Sequence, residues 1–167
     1  HGKFERTYRW DLTLDKAEEK YGIQIGLLKG LAMRESYGDP LRLNSSGDGG
    51  AGLFQFQPGT AKEYGLKIYG NSNKTGRDKK HGNELKILIQ KNKNDYNKMA
   101  EIDERFDVEK SSDAAGHFLK DLYERYKSWD KALSAYNCGT PAKNYLDTEH
   151  VKKTKEYQKY YNKRDKD

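Results

Sequence analysis

The stretch that most constrains the fold is Leu27-Leu28-Lys29-Gly30-Leu31-Ala32-Met33-Arg34-Glu35, followed by Ser36. Leu28, Leu31 and Ala32 fall on one face at helical spacing, so the run predicts a buried helix, here taken as Gln24 to Ser36. Glu35 lies four residues after Leu31 and three after Ala32, and so projects from that apolar face. Partial desolvation of a carboxylate favours its neutral form. A carboxylic acid that keeps its proton near neutral pH is what a general acid requires. The alternative is a helix-end glutamate turned to solvent, or paired with Arg34 or Lys29.

At 167 residues the chain is long enough for one domain with a real core. Its net charge of +6 suits an anionic polymer as partner: nucleic acid, an acidic membrane surface or bacterial cell wall. Acidic and basic residues are interleaved and Arg is scarce beside Lys, which argues against nucleic acid. Cys138 is the single cysteine and forms no internal disulfide. His1, His81, His117 and His150 show no ligand spacing, so neither a metal nor another cofactor is expected. No apolar stretch is long enough to span a bilayer. A chain beginning His-Gly reads as processed or trimmed, so no targeting signal gives its compartment.

Along the chain, residues 1–12 carry Phe4, Tyr8 and Trp10 and are expected to pack as an N-terminal arm. Thr13 is placed as the cap of a short helix reaching Lys20, with Asp15 and Glu18 near its positive end. Tyr37-Gly38-Asp39-Pro40 ends the next helix. Asn44 to Gly52 is a glycine-rich loop containing Asp48, followed by Leu53-Phe54-Gln55-Phe56-Gln57. A loop anchored by a short apolar segment is a common way to place polar groups at a cleft, so residues 43–56 are expected to form a small β-hairpin there. Pro58-Gly59-Thr60-Ala61 opens another helix.

Gly70 to Asn83 reads as exposed loop, followed by a helix carrying Leu85, Leu88, Ile89, Tyr96 and Met99. Ser111-Ser112 is expected to start the next helix, whose stripe of Ala115, Phe118, Leu119, Leu122 and Tyr126 is core. Asp130 is placed as the cap of the helix carrying Ala132, Leu133 and Tyr136, which Gly139-Thr140-Pro141 ends. Residues 144–163 predict a final polar helix.

Three of these blocks together resemble a known family. Glu35-Ser36, then Gly52-Leu53-Phe54-Gln55 with Pro58-x-Thr60-Ala61, then Ala135-Tyr136-Asn137-Cys138-Gly139, resemble the soluble lytic transglycosylase (SLT) domain, in that family's order and at compatible spacing. Asp103-Glu104-Arg105-Phe106-Asp107 is similar to the membrane-bound D-type branch. The resemblance covers residues 21–66 and 103–161. It leaves 67–102 as an insertion that borders the substrate groove, docks a partner or decorates the surface.

The resemblance implies a mainly α, lysozyme-like single domain, monomeric, acting on peptidoglycan glycan strands in the bacterial envelope, periplasmic or secreted. It implies cleavage of the bond between N-acetylmuramic acid and N-acetylglucosamine without water, leaving a 1,6-anhydro end. Glu35 would be the single acid and then base, an exception to the two-carboxylate rule. Gln55 would contact the sugar, Tyr136 would hydrogen-bond near the acid, and Ser36 and Asn137 would brace the site. The acid is expected at the floor of a groove lined by aromatics of the arm or the insertion. Gln57 replaces the apolar residue usual in the family, a polar change to the groove floor that bears on which sugar subsites it prefers. The runner-up is a goose-type lysozyme. Its aspartate matches Gln57, which cannot act as a base, so Asp48 would have to be the second carboxylate, about 6.5–9.5 Å from the first if the enzyme inverts. A non-catalytic peptidoglycan-binding module is the third reading.

Overall fold

The computed structural model describes residues 2–166, with the backbone alone at 2, 3 and 6. His1, placed in the N-terminal arm, lies outside the described residues. The architecture is mainly helical: α1 (Gly2–Tyr8), α2 (Asp11–Tyr21), α3 (Leu27–Ser36), α4 (Pro58–Glu63), α5 (Lys79–Lys91), α6 (Tyr96–Ile102), α7 (Val108–Tyr126), α8 (Trp129–Cys138) and α9 (Glu149–Lys166). Short 3-10 turns occupy Glu104–Phe106 and Tyr145–Asp147. The expected hairpin at 43–56 is reduced to two isolated antiparallel bridges, Leu43 with Ala51 and Ala51 with Phe56. The chain divides into two compact units. Unit 1 comprises residues up to Arg34 and from Ala115 onward, and unit 2 comprises Glu35–Ala114.

In unit 1, Leu28, Leu31 and Ala32 of α3 are fully buried, as their spacing predicts. The helix begins at Leu27, three residues later than expected. Gly26 turns the chain at φ +82°, and Leu27 N–H donates to the Gln24 carbonyl instead of continuing a helix backward. The first turn is capped from a distance. The buried Glu18 carboxylate accepts from the N–H groups of Gly26 and Leu28, both at 2.9 Å. An acceptor with negative charge at a helix N-terminus satisfies otherwise orphaned donors and favours the helix dipole. Glu18 therefore serves α3 and not the start of its own helix. That helix, α2, begins at Asp11 and not at Thr13.

Gly30 lets the backbone of α9 pass close to α3: a Cβ there would lie 2.5 Å from the Thr154 carbonyl oxygen. The N-terminal segment packs within unit 1. It forms α1, and Phe4 stacks on Tyr160 at 3.9 Å while the Tyr8 and Tyr160 hydroxyls hydrogen-bond at 2.9 Å. Thr7 and Tyr161 hydrogen-bond beside them. These rings pack with Met33, Tyr157 and Tyr161, so their area is spent on the core. The cap of α8 is Ser128, whose hydroxyl accepts from Lys131 N–H at 3.2 Å. Asp130 instead pairs with Lys155 at 3.0 Å. Gly139, at φ +88°, ends the helix as predicted.

In unit 2, Leu85 and Ile89 of α5 and Met99 of α6 are buried with Ala51 and Phe106. The 67–102 segment is thus part of this unit's core and not a surface decoration. The predicted helix there is two, because Lys93 and Asn94 take left-handed backbone angles (φ 55° and 59°) between α5 and α6. The expected loop at 70–83 ends at Asp78, which caps α5 by accepting from His81 N–H. Helix α7 starts at Val108, earlier than Ser111-Ser112. Asp107 accepts from Lys110 N–H at 2.9 Å, and both serines lie buried within the helix.

Candidate active site

Glu35 occupies the last turn of α3 and is half-buried. Lys29, one of the two pairings open to Glu35 in the sequence, is engaged elsewhere: its buried ammonium meets Asp15 at 2.7 Å and Asp165 at 3.0 Å. Burial opposes that charge, but the two carboxylates outweigh it and hold the Lys29 pKa above its usual value. Ser36 is buried, and its hydroxyl accepts from Gly38 N–H at 3.2 Å, bracing the turn that follows the acid. Tyr37 and Gly38 leave the helix through left-handed angles (φ 53° and 76°).

The glycine-rich loop of unit 2 is held by a buried polar cluster. Arg105 donates through Nε to Asp103 Oδ1 at 3.0 Å and through Nη2 to Oδ2 at 2.7 Å. Its Nη1 donates to the carbonyls of Gly49 and Phe56, both at 3.0 Å. The remaining Nη2 donor meets His81 Nε2 at 2.6 Å. A guanidinium has five N–H donors, and here all are used. Asp103 Oδ2 also accepts from Tyr69 N–H at 2.9 Å. The contact with Arg105 makes His81 Nε2 an acceptor, so the ring is neutral with its proton on Nδ1. Burial, and then the adjacent guanidinium, lower the His81 pKa from its usual value. Gly52, at φ +85°, lies against the Arg105 backbone where a Cβ would collide with its carbonyl.

Three of the residues singled out by sequence converge on this loop. Asp48 Oδ1 accepts from Gly50 N–H at 3.0 Å and Oδ2 accepts from Asn44 Nδ2 at 3.1 Å, so both carboxylate oxygens brace the loop. Gln55 Nε2 donates to the carbonyls of Arg42 at 2.8 Å and Gly52 at 2.9 Å. Its amide hydrogens are committed, and its carbonyl oxygen is what it can offer a ligand. Gln55 also holds a left-handed angle, φ 54°, which costs a non-glycine residue about 1–2 kcal/mol and tends to gather at functional sites. Gln57 Oε1 is buried without a hydrogen-bond partner among the described residues. A Cβ at Gly49 would lie 3.2 Å from Gln57 Oε1, and one at Gly50 would lie 3.3 Å from Asp48 Oδ1 and 3.4 Å from Gln55 Oε1. The three side-chain oxygens therefore surround the Gly49-Gly50 backbone.

An open cleft of about 500 Å³ flanks the same glycines. Leu41, Leu43 and Ile89 give it apolar wall, and Asn83, Lys86 and Gln90 give it polar groups.

Tyr136 and Asn137 belong to unit 1, on α8. The Tyr136 ring packs on Phe118 at 5.1 Å and over His150 at 6.4 Å. Asn137 is exposed and its Nδ2 lies 3.4 Å from Cys138 Sγ. Glu35, Ser36, Asp48, Gln55 and Gln57 all belong to unit 2. The sequence reading missed the roles of Arg105, Asp103 and His81. The available signal was an Asp-x-Arg pair inside a short block with apolar Phe106, read only as a family likeness.

A family model described as the transglycosylase SLT domain matches residues 13–83 and 85–160. The match runs through almost all of 67–102. No curated protein and no solved structure matches the chain. No helix among the described residues is long and apolar enough to cross a membrane. The mainly helical architecture accords with the lysozyme-like fold that this match implies. With the match covering most of its length, the chain belongs to the transglycosylase SLT domain family.

Proposed function

We propose that the protein is a peptidoglycan lytic transglycosylase in which Glu35 is the only catalytic carboxyl group. Family membership supports transglycosylase activity on peptidoglycan in general. The observation that carries the finer reading is the place of Glu35, half-buried in the last turn of a helix whose residues 27–33 are all buried. Glu35 first protonates the glycosidic oxygen between N-acetylmuramic acid and N-acetylglucosamine, and that bond breaks. The acetamido oxygen of the substrate supports the positive carbon that develops. The Glu35 carboxylate then takes the proton of the 6-hydroxyl as that oxygen closes on the carbon, giving the 1,6-anhydro end and regenerating the acid. One side chain acts in both directions, so no second protein carboxylate is required.

Asp48 accepts one loop hydrogen bond on each carboxylate oxygen, which suits a residue that braces the glycine-rich loop. Gln57 Oε1 is a buried acceptor without a partner among the described residues, so its part in the groove floor rests on the family resemblance. The carbonyl oxygen of Gln55 offers a second acceptor. For Tyr136 and Asn137 the assignment rests on the family resemblance alone. The reading puts the action of the protein in the bacterial cell envelope, periplasmic or secreted. The test is Glu35→Gln, which should abolish cleavage of peptidoglycan while thermal unfolding and sedimentation with the insoluble wall stay as in the wild type. Turnover in that variant would remove Glu35 from the role.

A further inference from the structure

The outer face of α9 carries a line of lysines. Lys152, Lys155, Lys159, Lys163 and Lys166 are all exposed. At 100° per residue they fall within an arc of about 80°, and their span of fourteen residues is about 21 Å. The arc lies opposite the face that buries Val151, Thr154, Tyr157 and Tyr161. Lys155 pairs with Asp130. The other four make no ion pair among the described residues. Two nearby carboxylates are engaged elsewhere, Glu156 with Lys153 and Asp165 with Lys29 and Arg164, and Glu149, one turn before Lys152, forms no ion pair with the row among the described residues. A row of like charges costs self-repulsion that salt screens and an anionic partner relieves.

We propose that this face of α9 binds a linear phosphodiester polymer of the cell wall, of the poly(alditol phosphate) type. The row is one side chain wide, so it presents a line of charge, which fits a chain better than a plane. Successive lysines rise by about 4.5 or 6 Å along the axis. A three-carbon phosphodiester repeat has six backbone bonds and reaches about 7 Å at full extension, so phosphates and ammonium groups can be met nearly one for one. An interfacial helix inserts an apolar face into lipid, whereas the apolar face of α9 is already buried and its exposed residues are all charged. Single-stranded nucleic acid is gripped by aromatic stacking as well as charge. Tyr160, beside the row, is half-buried and bonded to Tyr8, and Trp129, next to the Asp130 that pairs with Lys155, is stacked on Tyr123 at 4.0 Å.

The surface uses none of the residues assigned to cleavage, so it stands whether or not the protein cuts glycan. The experiment measures binding of the intact chain to fluorescent poly(glycerol phosphate) across a salt series. Five lysines give a log–log salt slope of about −3.5, a loss of roughly a hundredfold between 50 and 200 mM salt. Converting Lys152, Lys159, Lys163 and Lys166 to Gln should weaken binding at 50 mM at least tenfold and flatten the slope to about −0.7. A control with Lys16, Lys80, Lys91 and Lys98 converted to Gln loses the same charge and should bind within about twofold of wild type. Absence of binding, equal loss in both variants, or equally tight stripe-dependent binding to anionic vesicles or to poly(dT) would overturn the proposal.

Discussion

Arg105 and Asp103 form a fully buried two-pronged salt bridge, with Nε to Oδ1 at 3.0 Å and Nη2 to Oδ2 at 2.7 Å. The pair fixes more than itself, because the rest of the guanidinium grips the carbonyls of Gly49 and Phe56, at either end of the segment that carries Gln55. Removing one partner of a buried pair leaves the other charge without compensation and costs about 3–5 kcal/mol. Asp103→Ala and Arg105→Ala should each show that loss in urea unfolding. Arg105→Lys keeps the charge but cannot reach both carbonyls and both carboxylate oxygens, and should lose nearly as much. A loss under 1 kcal/mol in these variants would mean that the cluster does not hold the loop.

His81 gives the same cluster a pH dependence. Its folded pKa is below the ordinary 6.5, chiefly through burial and then through the Arg105 guanidinium. The unfolded chain therefore binds a proton more readily than the folded one as pH falls below about 6.5. The contribution of His81 to stability is present above that value and is lost as pH falls toward the folded pKa. Acid titration of the melting temperature should show this decline, and His81→Gln, which keeps an acceptor for Arg105, should remove it. Identical acid limbs in the two proteins would contradict the assignment.

The cap that Glu18 supplies to α3 should be measurable on its own. Glu18→Ala leaves the Gly26 and Leu28 N–H groups unsatisfied and should cost about 1–2 kcal/mol. Burial raises the Glu18 pKa above 4.5, against the opposing pull of its hydrogen bonds. Its ionisation-linked stabilisation is thus complete below about 4.5 and declines as pH rises through the folded value. The stability of wild type relative to Glu18→Gln should drop over that window in denaturant titrations at a series of pH values.

Local patterns carried most of the fold. Leu28, Leu31 and Ala32 predicted a buried helix because period and burial agree, and Gly139 ended α8 because a left-handed residue was needed there. The misplaced helix starts share one cause: the cap is chosen by tertiary context. Ser111-Ser112 reads as a cap only until Asp107 is seen to provide it, and Glu18 caps a helix other than its own. Asp103 and Arg105 are local to each other, but their roles were illegible because the groups they hold, His81 and the backbone of Gly49, Phe56 and Tyr69, lie 24 to 56 residues away along the chain. Periodicity marks apolar faces, and buried ion pairs leave no such trace. The lysine row on α9 was hidden by the acidic and aromatic residues interleaved with it, which only helical geometry separates.

The water-free reaction proposed at Glu35 leaves its mark in the mass of its products. Mass spectrometry of the soluble products released from purified peptidoglycan reads that mark. Muropeptides lighter by one water than the hydrolytic products, ending in 1,6-anhydromuramic acid, are expected, and none from Glu35→Gln. Products with free reducing ends would contradict that reaction, making the enzyme a hydrolase and requiring a second group, with Asp48 the first to examine.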